Sequence, residues 1–256
     1  VMRVFLAGAV LQSRMLLRRP FDMIIFFTLP LQTAGFLSIF RYAGRSDLDV
    51  YALMAPALIA LWQMALSISG EIIVTERNNQ SLESFIAAPG SIAALLIGRI
   101  SAVTLISMFG FIESVFTGWL FFDVTISIAA PGVFVVSMFT AASATTATAI
   151  LMSVVFIRTR SPRIFQNSLS YPFYLLGGVL APVALYPVWI QPLSSLVFLS
   201  WSADLLRDAA SHAIVPNWEL RNLIVLALGV ITFLVGRIML HATLLKARRE
   251  GKVGVV

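Results

Sequence analysis

The chain has 256 residues, of which 59% are hydrophobic and only 12% charged. A water-soluble domain carries about 45–50% apolar and about 25% charged residues, so a soluble globular fold is excluded, whereas a bilayer accepts apolar side chains on the outside of a protein as well as the inside. The formal net charge is +6 and there are no cysteines: the basic residues sit in short clusters between apolar runs, as membrane topology requires rather than nucleic-acid binding, and disulfides, thiolate catalysis and Cys-based metal sites are ruled out.

In chain order, residues 1–19 read as an amphipathic helix lying on the membrane surface. Arg3, Arg14 and Arg18 share one face at helical spacing, and Phe5 and Leu16 stand on the apolar side. This stretch is interrupted by Arg14, Arg18 and Arg19 and lacks a small-residue cleavage site, so no cleavable leader is expected in it. A membrane span needs about 20 mostly apolar residues. Such runs occur at 21–40, 50–73, 91–121, 131–157, 164–182 and 223–245, giving an all-α integral membrane protein with about six transmembrane helices in a single domain, 1–256. The run 91–121 is long enough to be tilted or broken near Gly110.

Residues 183–207 are apolar but cut by Pro187 and Pro192, with Trp189 and Trp201 among them. A straight helix cannot carry those prolines without losing hydrogen bonds. The stretch therefore reads as two short re-entrant helices that dip into the membrane and return on the same side. With the N-terminus inside, Arg77, Arg99, Arg158, Arg160, Arg163 and the C-terminal Lys246, Arg248, Arg249 and Lys252 join the N-terminal arginines on one side. The other side holds only Arg41, Arg45, Arg207 and Arg221. This asymmetry places both termini in the cytoplasm of a multi-pass plasma (inner) membrane protein. His212 and His241 lie in different segments and read as interfacial or packing residues.

Residues 76–89 follow the second span and form the most informative segment. Ser81 to Ala88 can form a short helix with Leu82, Phe85 and Ile86 on one face, stopped by Pro89-Gly90. An apolar stripe on so short a helix needs a cover, either the lipid interface or a partner protein. With Glu76-Arg77 before it, Leu82-Glu83 within it and Pro89 closing it, the segment resembles a motif of the type-2 ABC exporter permeases, although Asn79-Gln80-Ser81 stands where Gly-Thr is common. A second stretch resembles the same family in the same order: Gly177-Gly178 after the fifth span, Pro187-Val188-Trp189, and a closing Asp204-Leu205-Leu206-Arg207. The resemblance implies that 76–89 is a cytoplasmic coupling helix docking into a groove on an ATPase. It also implies that 183–207 forms the re-entrant helices at the outer face. Two ABC ATPase subunits and a second permease, identical or homologous, are the implied partners.

The chain has no phosphate-binding Gly-x-x-x-x-Gly-Lys-Ser/Thr loop; its one Gly-Lys pair, Gly251-Lys252, is followed by Val253. The expected chain is thus a permease rather than an enzyme, with no bound cofactor or metal, and with ATP and Mg held by the partner subunit. Within the spans, Glu113 stands out because a carboxylate at mid-bilayer is costly. It is either a residue of the pathway or dimer seam, or a locally hydrogen-bonded Glu near the outer half of its span. The small-residue run 140–149 suits close helix packing, with Ser143 and Thr146 as the candidates for a polar pathway lining. Amphipathic cargo follows from the resemblance: a drug, an antibiotic, a lipid or a lipid-linked glycan. Competing classes are an ion-driven secondary transporter, which would want more intramembrane charge than Glu113, a membrane enzyme, for which no constellation of catalytic residues is visible, and a non-transporting scaffold. Membrane lipid is a partner in every reading, and nucleic acid in none.

Overall fold

A computed structural model describes residues 2–18, 24–78, 92–125, 128–159 and 162–250. These form helices without strands: α1 (Met2–Arg18), α2 (Ile24–Tyr42), α3 (Asp49–Asn78), α4 (Ile92–Ser107), α5 (Phe109–Phe122), α6 (Pro131–Arg158), α7 (Pro162–Leu176), α8 (Gln191–Ser195), α9 (Phe198–Ser211) and α10 (Trp218–Glu250). Five stretches are long and apolar enough to cross a membrane: Ile24–Tyr42, Ser46–Glu71, Ala94–Phe122, Pro131–Phe156 and Trp218–Thr243.

The bundle is built round α3. From Ala52 to Gly70 this helix is buried on nearly all sides, as its apolar residues at every helical position require. Trp62 is wholly buried and stacks on Phe173 of α7, with ring centroids 4.4 Å apart. On the α2–α5 side, Ser114 Oγ donates to the Leu53 carbonyl at 2.6 Å and shares a hydrogen bond of 3.0 Å with Thr33 Oγ1. Both interactions satisfy polar groups that lipid could not.

The small-residue run packs as its composition suggests. Ala141, Ala142, Ala144 and Ala149 are buried, and Gly229 and Gly236 of α10 rest on the backbone of Ala144 and Leu151. Polar pairs fasten the seam: Thr140 Oγ1 to Asn222 Oδ1 at 2.6 Å, Asn222 Nδ2 to Ser137 Oγ at 3.2 Å, and Thr148 with Thr232 at 3.4 Å. Close backbone approach through small residues, with interhelical hydrogen bonds, is how helices associate when lipid removes the hydrophobic drive.

Several expected boundaries shift. The run 91–121 does break, at Met108, two residues before Gly110. α3 runs to Asn78, beyond the expected end at 73, because no Gly or Pro interrupts residues 71–78 and Glu and Arg favour helix. The fifth span, expected over 164–182, is the main correction. α7 has 15 residues and stops at Leu176, about 22 Å of helix against a hydrocarbon core of about 30 Å. Gly178 stops it by taking φ +59. The N–H of Val179 reaches back to the Tyr174 carbonyl and that of Gly178 to Leu175, the paired bonds of a Schellman cap that Gly accommodates without a Cβ penalty. Even so, α7 travels beside α3 over a long stretch. Gln166 Nε2 donates to the Leu66 and Ser67 carbonyls at one end, and Arg207 connects Gly178 to Tyr51 at the other.

The N-terminal helix is more than a surface float. Gly8 of α1 lies on the Leu95 carbonyl and Gly98 of α4 lies on the Phe5 carbonyl, so a side chain at either would strike backbone. Gly98→Leu is therefore expected to destabilise the protein by about 1–3 kcal/mol, the usual cost of overpacking. The check is the unfolding temperature in detergent; an unchanged value would contradict this contact.

Candidate functional site

α3 leaves one stripe accessible along its middle. Ile59, Gln63, Ser67 and Glu71 recur every fourth residue and are half-buried, while the residues between them are almost all buried. They form the floor of an open groove of about 880 Å³ between α2 and α7. α2 supplies Thr28 and Gln32 to one wall, with apolar Ile25, Phe36 and Ile39; α7 supplies Asn167, Ser170, Tyr171 and Tyr174 to the other. The wall residues repeat at helical spacing on each helix, so each helix turns one polar stripe to the same cleft. The polar groups are partly engaged with one another. Gln63 Oε1 accepts from Tyr174 Oη at 2.9 Å and from Ser170 Oγ at 3.2 Å. Polar stripes at this depth in apolar helices mark a cavity or a seam, because facing lipid would strand them.

The groove ends at the segment carrying the second sequence motif. Leu180 lines it, two residues past the Schellman turn. There Arg207 of α9, 3% exposed, donates from Nη1 to the Gly178 carbonyl at 2.8 Å and from Nη2 to the Val179 carbonyl at 2.6 Å. Its guanidinium lies 4.3 Å from the centre of the Tyr51 ring at the start of α3, a cation–π contact. Asp204 Oδ1 stands 3.7 Å from Nη1. Arg221 of α10 donates to Asp208 Oδ2 at 2.6 Å, and the amides of Ala129 and Ala130 bond the Ala210 and Ala209 carbonyls. One short helix thus ties the ends of α3, α6, α7 and α10 together.

The sequence-derived candidates fall in different places. Gly177, Gly178 and Arg207 come together in this lock, where Gly177 leaves just enough room for Leu199. Pro187 and Trp189 lie beyond it, exposed, between a single turn at Val183–Leu185 and α8. Ser143 and Thr146 face a separate groove of about 350 Å³ between α4, α6 and α10. Ser143 there bonds the Phe139 carbonyl of its own helix, and Thr146 bonds Thr104 Oγ1 at 3.2 Å. Glu113 is on neither groove. It sits half-buried on α5 beside exposed Phe109, Ile112 and Phe116. Glu76 and Arg77 belong to the last turns of α3, and Leu82, Glu83, Phe85, Ile86 and Pro89 lie outside the described residues.

Sequence reading missed the large groove. Its signal was present as Gln63, Ser67 and Glu71 at i, i+4 and i+8 in one apolar run, and as Asn167, Ser170, Tyr171 and Tyr174 at i, i+3, i+4 and i+7 in another.

Compared with known families, residues 9–210 match the sequence profile described as ABC-2 type transporter, well over half of the chain. No curated protein matches it.

Replacing Arg207 should show what the lock contributes. Arg207→Ala removes two hydrogen bonds from a charged donor, each contributing about 1.5–3 kcal/mol, and should lower the unfolding temperature accordingly. Arg207→Lys should restore little, because an ammonium lacks the planar fork that reaches both carbonyls. Full recovery by Lys in a thermal-unfolding series would contradict the bidentate role.

Proposed function

The chain belongs to the ABC-2 type transporter family, and from that premise we propose that it is the permease of an ATP-driven exporter carrying an amphipathic molecule out of the cytoplasm along the groove between α2, α3 and α7. The family makes it a membrane subunit without an ATPase site of its own, associated with an ABC ATPase. The observation that carries the pathway reading is the polar stripe on α3. A helix buried almost everywhere else keeps Gln63, Ser67 and Glu71 accessible over an open cleft of about 880 Å³. The cleft has both kinds of wall that an amphipathic cargo needs: apolar Ile25, Ile39, Ile59 and Met64, and hydrogen-bonding Gln32, Asn167, Ser170 and Tyr171. A volume of this size holds a drug-sized molecule.

An open groove on one subunit encloses nothing by itself. In our reading a second permease, identical or homologous, faces it across the open side, and two ATPase subunits bind ATP and Mg below. The segment 76–89 is the coupling helix, with Leu82, Phe85 and Ile86 pressed into the ATPase. Because α3 is one unbroken helix from Asp49 to Asn78, closure of the ATPase would pass from that segment into the groove floor as movement of a rigid rod, switching the bundle between two packed arrangements. α7 together with the turn after Leu176 completes a sixth crossing, which puts both termini in the cytoplasm of the inner membrane, with 183–207 dipping in from the outer face.

The test is transport into inverted vesicles holding this chain and its ATPase. Accumulation should require both proteins and ATP; accumulation without the ATPase would sink the proposal. Gln32→Leu and Asn167→Leu should each raise the half-saturating cargo concentration about two- to tenfold, the equivalent of one hydrogen bond at about 0.5–1.5 kcal/mol, with ATP hydrolysis retained. Phe85→Asp should leave membrane insertion intact but separate hydrolysis from transport; full transport by this variant would refute the coupling role of the segment.

A further inference from the structure

α1 has three faces, and among the described residues one of them packs inside the protein. Gly8, Gln12 and Leu16 are buried against α4, where the Gly8 and Gly98 notches bring the two backbones together. Arg99 Nε, itself buried, donates to Gln12 Oε1 at 2.9 Å, and Arg99 Nη2 reaches Met15 Sδ at 3.6 Å. The second face is an exposed apolar ridge: Met2, Leu6, Val10 and Leu17, with Leu17 77% and Met2 71% exposed. The third adjoins the ridge and carries Arg3, Arg14 and Arg18, all exposed. At 100° per residue the ridge and the arginines occupy neighbouring sectors, opposite the α4 contact. No acidic residue occurs anywhere in α1.

We propose that this surface binds anionic phospholipid, and that the contact sets the position of α4. The ridge enters the acyl region while the guanidiniums pair with the phosphates of anionic headgroups, which they match bidentately. Charge complementarity selects the partner. A zwitterionic lipid would satisfy the ridge but offset each phosphate with its own cation, leaving the three positive charges without net neutralisation, and an acidic soluble protein would satisfy the cations and leave the ridge in water. The joint to α4 makes the binding consequential. α1 cannot slide over α4, because a carbonyl fills each glycine notch and the Arg99–Gln12 bond pins the register. A leaflet that draws α1 in therefore carries the N-terminal end of α4 with it, immediately after the segment 79–91. The proposal rests on α1 and α4 alone, independently of the cargo groove and of the ATPase.

The experiment uses the full-length chain in a neutral detergent, with phosphatidylglycerol or phosphatidylcholine added in a concentration series. Lipid retention is read by native mass spectrometry and whole-chain unfolding by thermal shift. Each basic residue near an anionic surface contributes about fivefold in partitioning, so the three arginines together contribute about a hundredfold. Wild type should retain phosphatidylglycerol in preference to phosphatidylcholine and unfold at a higher temperature with it. The triple variant Arg3→Gln, Arg14→Gln, Arg18→Gln should lose that preference while unfolding normally without lipid. Equal responses to the two lipids, or a triple variant that keeps the preference, overturns lipid recognition. Selective retention with no change in whole-chain unfolding overturns the coupling to α4. If the arginines matter only for retaining a purified ATPase, with no lipid preference, the surface is a protein contact and the proposal fails.

Discussion

In hydrocarbon no water is available to accept what a helix leaves unpaired, and this one constraint organises the molecule. α3 meets it most severely. It is enclosed by α2, α4, α5, α6, α7 and α9, so its polar groups are answered within the bundle or open on a cleft, with the buried Trp62 indole N–H as an exception among the described residues. Ser69 is answered by the Leu66 carbonyl of its own helix, and the Leu66 and Ser67 carbonyls by Gln166. Gln63, Ser67 and Glu71 align on the one stripe of α3 that stays accessible, where Gln63 is met by Tyr174 and Ser170 of α7. The groove is therefore less an ornament on the fold than the remainder left when every other side of α3 has been covered.

The same constraint explains the way the helices are joined. Between α6 and α10, small residues and shared hydroxyls replace the bulky interlock of a water-soluble core. Between α1 and α4, two glycines let carbonyl oxygens of one helix sit on the other. Where α7 stops at Leu176, its Tyr174 and Leu175 carbonyls are taken up by the Schellman turn, and the carbonyls of the turn itself, Gly178 and Val179, by a guanidinium from α9. Each joint depends on a particular residue rather than on general greasiness, since lipid competes equally well for any apolar face.

How legible was this in the amino-acid sequence? The apolar runs, the basic N-terminal helix and the small-residue seam were readable, because composition and a period of 3.6 report directly on what a helix can face. Gly177, Gly178 and Arg207 stood out as parts of one motif, although only packing revealed that the arginine caps the glycine turn. The groove was not readable from any single run. Gln63 looks like a stray polar residue until α7 is placed beside it, and the polar groups of α7 face the same cleft only after Pro162–Leu176 has been aligned against α3. Glu113 shows a complementary limit. Its cost in lipid is real, but cost alone does not say which way a side chain points, and it lies at the edge of an aromatic outer face away from both grooves.

The order of the lock along the chain has a consequence for biogenesis. Tyr51 and the Gly178–Val179 carbonyls precede Arg207, so the cation leaves the ribosome after every group that receives it. A chain whose third or seventh helix has not yet settled would present a bare guanidinium to the insertion machinery, whereas a settled one takes it in at once. Burial of the Arg207 charge therefore waits on Tyr51 and the Gly178–Val179 turn having come together around it.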